Sequence, residues 1–329
     1  MSPAPSAEKE LALPPCSSVS PVVKWLVQLK ASLLSAIARL TASQVPSPRL
    51  NAELLLMFAL NCDRAYLFAH PEQELTQDET SRYEAALAKR SHGLPTQYIT
   101  GHQEFWGMDL IVSPAVLIPR PETEHVIETV LELQRADVGL QASDLNSPTS
   151  EAGFLQCPLH IADVGTGSGA IALALAKEFP RAEIDAIDIS PAALEIARAN
   201  AARHQLESRI HFREGNLLEG SAPETFDFIV SNPPYVGESE EEQVQLEVRK
   251  FEPRNAVFAG PAGTEIIARL IPQAHVALKP GGWLVMEISG TIVGEVKRLL
   301  TEWEEVEIKP DLQSIPRTIS SRKPRLESI

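Results

Sequence analysis

The stretch Leu159-His-Ile-Ala-Asp-Val-Gly-Thr-Gly-Ser-Gly169 is a short apolar run followed by a loop with three glycines. A run of this kind, bounded by glycine, is typical of a buried strand. The residues that follow, 170–179, have a helical pattern. Glycine in the connecting loop permits a tight turn and lets a ligand approach the backbone N–H groups closely. The order strand, glycine loop, helix therefore predicts one unit of an α/β sheet with a ligand site at its edge.

The alternation of strands and helices continues towards the end of the chain. We expect strands over 182–187, 210–213, 226–231 and 283–288, two late strands near Val306 and Ile319, a turn at Lys279-Pro-Gly-Gly282, and helices over 191–204, 264–278 and 292–303. Strands that alternate with helices in this way form a doubly wound, largely parallel sheet. The predicted fold class is therefore α/β and Rossmann-like.

The glycine loop also indicates a cofactor. Asp188 follows Gly165 by 23 residues at the end of the next predicted strand, where a carboxylate can accept hydrogen bonds from both hydroxyls of a ribose. A nucleoside-containing cofactor is implied. The loop alone does not choose between cofactors, because Gly165-x-Gly167-x-x-Ala170 also satisfies the loose dinucleotide fingerprint.

The predicted strand over 226–231 ends at Asn232-Pro233-Pro234-Tyr235. Proline has no N–H to continue a ladder, so the strand stops there and places Asn232 at the edge where α/β sheets bind ligands. The Asn232 amide oxygen and the Pro233 carbonyl can accept both hydrogens of an NH2 group, and Tyr235 offers a ring face to a flat amide or base. The motif favours amino-group chemistry; the alternative is a plain Asn-Pro turn.

The two motifs together favour a methyl donor over a nicotinamide. A hydride-transfer enzyme has no evident need of an NH2 acceptor beside its cofactor, whereas a sulfonium methyl donor needs a nitrogen held in line with its methyl group. We therefore expect S-adenosylmethionine.

The sequence predicts that the chain is divided into segments of different structure. Residues 1–20 are rich in proline, serine and alanine and are expected to be disordered. Residues 21–100 have helical periodicity, with a capping box at Thr76 to Glu79, and predict a helical domain for recognition or scaffolding. Residues 101–118 predict a linking β-hairpin, with strands over 105–112 and 115–118 around Ser113-Pro114. Residues 119–329 form the expected catalytic domain, with 138–157 as a surface loop.

Composition limits the partners. The 329 residues carry a formal net charge of -15, which disfavours duplex DNA or long RNA as the main substrate and fits a protein partner. The three cysteines and eight histidines show no metal-ligand spacing, so no metal is implied. The first residues lack the pattern of a signal peptide, and lysine and arginine interrupt the apolar stretch 22–42, so we expect no membrane span and a cytoplasmic protein.

Four motifs, taken together, resemble the HemK/PrmC release-factor glutamine methyltransferases, over about residues 22–325. They are Asp163-Val164-Gly165-Thr166-Gly167-Ser168-Gly169, Asn232-Pro233-Pro234-Tyr235, Ile118-Pro119-Arg120-Pro121-Glu122-Thr123 and Phe251-Glu252-Pro253-Arg254. The resemblance implies a class I S-adenosylmethionine-dependent methyltransferase with a mostly parallel seven-stranded sheet. It also implies a monomer that methylates N5 of the glutamine in the Gly-Gly-Gln motif of class I peptide chain release factors and so modulates translation termination.

The resemblance also implies roles for individual residues. Gly165, Thr166, Gly167, Ser168, Gly169 and Asp188 would hold S-adenosylmethionine, with Asn232 beside it and Leu217 near the adenine. Asn232, Pro233, Pro234 and Tyr235 would bind the glutamine, with Asn232, Pro233 and Tyr235 catalytic, and S-adenosylhomocysteine would be the product. Two stretches depart from the family pattern: Leu217 stands where an aromatic residue is common, and Ser289-Gly290-Thr291-Ile292 replaces a Gly-Trp-Asn-Gln-like stretch.

The expected mechanism is direct transfer, because hydrogen bonds to the NH2 group stabilise the positive charge that develops on it. Three alternatives remain open: a ribosomal-protein glutamine methyltransferase, a methyltransferase acting on the exocyclic amino group of a base, and a catalytically idle binding module. The acidic stretch Glu238 to Glu242 is expected to be solvated surface, although its position permits a lid over the substrate. Arg120 and Glu122 are expected either to touch ligand or to form a local cap and ion pair.

Overall fold

The computed structural model describes residues 28–139 and 158–325. The predicted disordered segment 1–20, the start of the predicted helical pattern at 22–27 and residues 140–157 of the predicted surface loop lie outside these ranges. Five helices come first in the described part: α1 (Leu29–Ala42), α2 (Pro48–Leu60), α3 (Arg64–Ala69), α4 (Gln77–Ser91) and α5 (Thr96–Thr100). In neither described range is a helix long and apolar enough to cross a membrane.

The helical region has an apolar core of its own. Leu40, Leu55 and Leu87 are buried together, and the buried Tyr83 hydroxyl donates to the Ala52 carbonyl over 3.1 Å. The predicted capping box is confirmed. The Glu79 amide donates to Thr76 Oγ1 over 3.2 Å, and the Thr76 amide donates to the Glu79 carboxylate over 2.8 Å. This exchange satisfies two N–H groups at the start of α4 that have no partner within the helix.

A β-hairpin follows the helices, but the predicted position of its turn is wrong. Strands β1 (His102–Phe105) and β2 (Met108–Ile111) pair antiparallel, with Trp106 and Gly107 at the turn. Both turn residues have positive φ, 52° and 67°, as a type I′ hairpin turn requires. Proline fixes φ near -65° and cannot provide this geometry. The hairpin therefore does not turn at Ser113-Pro114, and residues 115–118 form no strand.

The second region contains a seven-stranded sheet, as the sequence predicts. Its strands are β3 (His160–Val164), β4 (Glu183–Asp188), β5 (Ile210–Glu214), β6 (Phe226–Ser231), β9 (Leu278–Glu287), β10 (Glu304–Pro310) and β11 (Pro316–Arg322). Their order across the sheet is β10-β11-β9-β6-β3-β4-β5. The pairs from β9 to β5 are parallel, whereas β11 runs antiparallel to β9 and β10.

Helices cover both faces of the sheet. On one face lie α6 (Glu124–Asp137), which follows a 3-10 turn (Pro121–Thr123), α7 (Ala170–Glu178) and α8 (Pro191–Arg203). On the other lie α11 (Glu265–Ala277) and α12 (Val293–Leu299). Between β6 and α11, the chain forms β7 (Val236–Gly237), a 3-10 helix (Glu238–Gln243), α9 (Leu246–Phe251), α10 (Arg254–Val257) and β8 (Phe258–Gly260).

Two predicted boundaries near the end of the chain differ from the structure. The expected turn at Lys279 to Gly282 is instead the irregular start of β9, which shifts register opposite Phe226 and Phe228. The strand requires glycine at Gly282, because a Cβ there would lie 3.0 Å from the Asp227 carbonyl oxygen. Helix α12 ends at Leu299 rather than at Trp303, whose side chain is buried in the core on that face.

The sheet contains a topological switch point between β3 and β6. After β3 the chain continues to β4 and β5 on one side, whereas β9 and β11 lie on the other side beyond β6. Val164 pairs with Ser231 where the two strands end. Ligands of open α/β sheets bind outside the carboxyl ends of the strands at such a point. The fold therefore brings the glycine loop and Asn232 to one edge of the sheet.

A buried arginine connects the helical region to the sheet region. Arg90 of α4 donates to Glu247 Oε1 of α9 over 2.5 Å, to Asn51 Oδ1 over 2.8 Å and to the Leu94 carbonyl over 3.2 Å. Its guanidinium is buried, whereas Glu247 is partly exposed. These three contacts satisfy a charge that would be costly to bury alone.

Replacing Arg90 by methionine is expected to lower the free energy of unfolding by about 2 to 3 kcal/mol, because Glu247 and Asn51 lose a buried partner. Arg39→Met is a matched control: it removes the exposed ion pair with Glu84 and should cost less than about 1 kcal/mol. Urea denaturation measures both values. Equal losses in the two variants would contradict the structural role given to Arg90.

Candidate active site

A cavity of about 440 Å³ lies at the carboxyl ends of β3, β4 and β6. Of the residues predicted for the site, Gly165, Thr166, Gly167, Ser168, Asp188, Leu217, Asn232 and Pro234 line this cavity, whereas Gly169, Pro233 and Tyr235 do not. The edge of the sheet thus brings together residues from three separate motifs. A cavity of this size is within the range of small-molecule and cofactor sites.

Backbone N–H groups of the glycine loop hold it against the end of β4. The N–H groups of Gly165 and Thr166 both donate to the Ile187 carbonyl, over 2.8 and 3.0 Å, and the Gly167 N–H donates to Asp188 Oδ2 over 2.8 Å. These three donors are occupied within the protein, so the loop contributes a shaped surface at these residues rather than free N–H groups. This differs from the expectation that a ligand would bind the loop through its amides.

Gly169 lies behind the cavity and sets the packing of α7. A Cβ at this position would lie 2.5 Å from Leu173 Cδ1 and 3.2 Å from Ala197 Cβ, and its φ is 82°. Any larger residue would therefore both clash and strain the backbone. Its contribution to the site is the close approach of the loop to α7 and α8.

Asp188 is fixed at the end of β4 by backbone donors. Ser190 N–H donates to Oδ1 over 2.9 Å and Gly167 N–H donates to Oδ2 over 2.8 Å. Burial raises the pKa of the Asp188 carboxyl, and the backbone N–H groups act in the opposite direction. Asp188 lines the cavity, and a carboxylate has about four acceptor positions, so it can still accept hydrogen bonds from ligand hydroxyls.

Leu217 has an unusual backbone conformation. Its φ is 59°, a region that branched apolar residues seldom adopt. It lines the cavity beside Gly215 and Asn216. A flat ring in this part of the cavity would contact an aliphatic side chain, without the stacking that an aromatic residue would provide.

Asp163, which the sequence places in the glycine motif without a separate role, is fully buried beneath the loop. Its Oδ2 accepts from the Thr166 hydroxyl over 2.6 Å and from the Ala172 N–H over 3.1 Å. Its Oδ1 has no hydrogen-bond partner among the described residues. Burial raises the pKa of the Asp163 carboxyl to about 7. An acidic residue within an apolar strand was the sequence signal for this group.

Asn232 belongs to a chain of hydrogen bonds at the cavity, and both Asn232 and Thr123 line the cavity. Its Nδ2 donates to Thr123 Oγ1 over 3.0 Å, and the Thr123 hydroxyl donates to Glu287 Oε2 over 2.6 Å. The Tyr235 hydroxyl donates to Glu287 Oε1 over 3.0 Å. Burial raises the pKa of the Glu287 carboxyl, and the two hydroxyl donors act in the opposite direction. Tyr235 therefore turns its hydroxyl away from the cavity, towards Glu287 at the end of β9.

Two other predicted motifs meet beside the cavity. Arg120 forms an ion pair with the buried Glu252, which also accepts from the Ile118 N–H over 3.1 Å. Residues 114–117 and Pro119 form one wall of the cavity, and Pro253 belongs to another part of it. Sequence reasoning assigned 115–118 to a strand; the flanking Pro114 and Pro119, which cannot donate to a ladder, were the signal against that assignment.

The acidic stretch Glu238 to Glu242 is exposed or half-buried and lies outside the cavity lining. Glu241 forms two hydrogen bonds with Arg254, of 2.6 and 3.1 Å, and Glu240 accepts from the Gly237 N–H over 3.3 Å. These contacts hold the 3-10 helix against the Phe251 to Arg254 motif. The structure thus places this stretch on the surface next to the site.

Asn200, which sequence reasoning did not select, joins the hairpin to the glycine loop. The buried side chain donates to the carbonyls of Ile111 and Ser168 over 3.0 and 2.9 Å, and its oxygen accepts from the Ile111 N–H over 2.6 Å. A buried amide in an alanine-rich helix was its signal. Its contacts position Ser168 through the backbone.

The seven-stranded sheet, its antiparallel β11 and the cavity at the switch point define a Rossmann-like class I S-adenosylmethionine-dependent methyltransferase fold. Sequence comparison agrees with this class. The PrmC N-terminal domain family matches residues 32–101, and the Methyltransferase small domain family matches residues 154–250.

Curated relatives identify the particular family. A release factor glutamine methyltransferase of Koribacter versatilis is 54% identical over 297 residues, which cover 90% of this chain and 99% of the relative. One from Rhodopirellula baltica is 38% identical, with 84% and 90% coverage. This chain therefore belongs to the release factor glutamine methyltransferase family and is a methyltransferase, which confirms the resemblance given by the four motifs.

A solved structure supports the fold. The hMettl16 catalytic domain, in complex with the MAT2A 3′UTR hairpin 1, matches with a TM-score of 0.50 at 15% sequence identity. The match covers 74% of this chain and 82% of that chain. At this identity the similarity concerns the fold alone.

The buried Asp163 predicts a pH-dependent stability. Its native pKa of about 7 lies above the ordinary value of 3.8, so between these values the native state binds more protons than the unfolded state. Its contribution to stability is fully present below about pH 4 and is lost as the pH rises through 7. Asp163→Asn does not titrate, so its stability relative to wild type should increase from pH 5 to pH 7, by up to about 1.4 kcal/mol per pH unit.

Urea denaturation at several pH values measures this difference, without cofactor, so that ligand binding does not enter. Curves for wild type and Asp163→Asn that stay parallel from pH 5 to pH 8 would contradict the protonation assigned to Asp163.

Proposed function

We propose that this methyltransferase transfers a methyl group from S-adenosylmethionine to the side-chain amide nitrogen, N5, of the glutamine in the Gly-Gly-Gln motif of class I peptide chain release factors, and so modulates translation termination. The observation that carries the proposal is the 54% identity to a relative named release factor glutamine methyltransferase, over 99% of that relative's length. The similarity covers 90% of this chain, which includes both the helical region and the sheet region.

The residues of the cavity fit S-adenosylmethionine, which supplies an electrophilic methyl group on a sulfonium sulfur. We assign Gly165, Thr166, Gly167, Ser168 and Gly169 to its cradle. Asp188 would accept hydrogen bonds from the ribose hydroxyls, and Leu217 would contact the adenine, with Asn232 beside the reacting end. S-adenosylhomocysteine would leave as the product, and the proposed reaction assigns no role to a metal.

The proposed chemistry concerns the glutamine nitrogen, whose lone pair is delocalised into its carbonyl group. The enzyme must orient the NH2 group and stabilise the positive charge that develops on it. Asn232 Oδ1 and the Pro233 carbonyl would accept its two hydrogens, in hydrogen bonds that strengthen in the transition state. Pro234 and Tyr235 complete the proposed glutamine site: Pro234 lines the cavity, and Tyr235 anchors the motif through Glu287. No strong base is required.

We further propose how the segments divide this work. Residues 21–100 would recognise the release factor, 101–118 would link the two domains, and 119–329 would carry catalysis. The enzyme would act as a cytoplasmic monomer on a protein partner, without direct nucleic-acid binding. The net charge of -15 supports a protein substrate.

The direct test uses labelled S-adenosylmethionine with a purified class I release factor, the same factor with its Gly-Gly-Gln glutamine substituted, ribosomal proteins and duplex DNA. We expect label only on the unsubstituted release factor. Label on ribosomal proteins or on DNA would contradict the proposal and favour one of the two other methyltransferase functions. Failure to bind S-adenosylmethionine would favour an idle binding module.

Asn232→Ala should lower kcat by about two to three orders of magnitude, because a preorganised transition-state hydrogen bond is worth roughly 3 to 4 kcal/mol. Asp188→Ala is the matched comparison: it should weaken S-adenosylmethionine binding in a calorimetric titration. Near-normal turnover of Asn232→Ala would contradict the role assigned to its amide.

A further inference from the structure

The Thr123 hydroxyl does not cap the helix that it precedes. Thr123 is the last residue of the 3-10 turn, its backbone is already helical, with φ -67° and ψ -20°, and its side chain makes no capping hydrogen bond to α6. The buried hydroxyl instead lies between Glu287 and Asn232. It therefore serves contacts at the site.

Glu287 determines the direction of the hydrogen bond from Thr123. The side chain is 2% exposed, and both its oxygens are occupied, Oε2 by the Thr123 hydroxyl and Oε1 by the Tyr235 hydroxyl. Because each oxygen accepts from a hydroxyl, the carboxyl group of Glu287 acts as an acceptor in both contacts. The single hydroxyl proton of Thr123 is therefore directed to Glu287, and Thr123 Oγ1 has only lone pairs left for Asn232.

This arrangement distinguishes the two ends of the Asn232 amide. Its NH2 group and its oxygen are nearly identical in shape. Packing alone therefore does not distinguish the two orientations that are related by a half turn of the amide. The Thr123 oxygen, which can only accept, requires the NH2 end. The 3.0 Å contact from Nδ2 satisfies it, and the amide oxygen is left for a ligand. In the reversed orientation, Oδ1 would face another acceptor and NH2 would face the substrate.

We propose that Thr123 and Glu287 are positioning residues that fix the orientation of the Asn232 amide, so that its oxygen, and not its NH2 group, faces the nitrogen to be methylated. The three residues come from the start of α6 and the ends of the neighbouring strands β6 and β9. The identity of the methylated nitrogen rests on the proposed function; the orientation of the amide does not.

Glu287 accepts from two hydroxyl donors, Thr123 and Tyr235. Burial is the largest influence on its carboxyl and raises the pKa, and Glu122 acts in the same direction, whereas the two donors and the Arg317 guanidinium favour the ionised form. Arg317 itself donates to Asp311 Oδ2 over 2.9 Å. Glu287→Gln removes the constraint while keeping the shape, because a glutamine NH2 can donate to Thr123 and free its hydroxyl to donate to either end of the Asn232 amide.

The first measurement follows the Asn232 side-chain NH2 signals by NMR, in protein labelled with ¹⁵N-asparagine and assigned by the loss of the signals in Asn232→Ala. We expect Glu287→Gln and Thr123→Val to shift these signals and to speed their exchange with water, and Thr123→Ser to restore them. Thr318→Val is the matched control. Thr318 pairs with Glu287 in the sheet and is buried, and its hydroxyl has no hydrogen-bond partner among the described residues.

The second measurement is turnover with the release factor. Glu287→Gln and Thr123→Val should lower kcat by roughly ten- to hundredfold, the worth of a hydrogen bond that involves a charged group, with unchanged affinity for S-adenosylmethionine. In the Asn232→Ala background, Glu287→Gln should cause no further loss, because both positioning residues act through Asn232. Thr123→Ser should recover most of the turnover, and Thr318→Val should match wild type.

Three results would overturn the proposal: Asn232 signals that are unchanged in Glu287→Gln and Thr123→Val, a Glu287→Gln loss that persists in full in the Asn232→Ala background, or a loss of turnover of equal size in Thr318→Val. If the wild-type enzyme does not methylate the release factor, the proposed substrate is wrong, and the NMR measurement alone decides the orientation of the amide. Thr123→Val keeps the test available should Glu287→Gln fail to fold.

Discussion

The parallel pairing of β3 with β6 is the constraint on which the rest of this structure depends. The two strands are far apart in sequence, but their ends are in register at Val164 and Ser231, and the Ser231 hydroxyl donates to the Val164 carbonyl over 2.7 Å. The glycine loop continues from one strand and Asn232 from the other. The glycine loop and Asn232 therefore face one cavity because the chain reverses its strand order at this point.

Acidic side chains near the ends of three strands of the sheet, β3, β4 and β9, have different tasks because they have different partners. Asp163 is buried beneath the loop with one oxygen unpaired among the described residues. Asp188 keeps acceptor capacity at the cavity. Glu287 uses both oxygens on hydroxyl donors. Burial raises the pKa of all three carboxyls. Such groups cost stability, and proteins retain them mainly where they serve a site.

The sequence predicts the features that depend on local pattern. Apolar runs ending at glycine or proline gave the sheet class, the glycine loop, the position of Asp188 and the Asn232 motif. It failed where local signals were misread: the hairpin turns at Trp106 and Gly107, and residues 114–117 and Pro119 line the cavity instead of forming a strand. It failed also where distant residues decide the result. The sequence predicts a strand at Glu287 but no role for its side chain, because its partner Thr123 lies 164 residues away. No local periodicity reports such a contact.

The most direct test of the whole account is a crystal structure of the enzyme with S-adenosylhomocysteine and a Gly-Gly-Gln peptide. The account predicts that the cofactor lies on the glycine loop with its ribose at Asp188. It also predicts that the glutamine NH2 lies within hydrogen-bond distance of Asn232 Oδ1 and the Pro233 carbonyl, and that Asn232 Nδ2 stays on Thr123. A glutamine bound away from Asn232, or one that approaches the Nδ2 end of its amide, would contradict it.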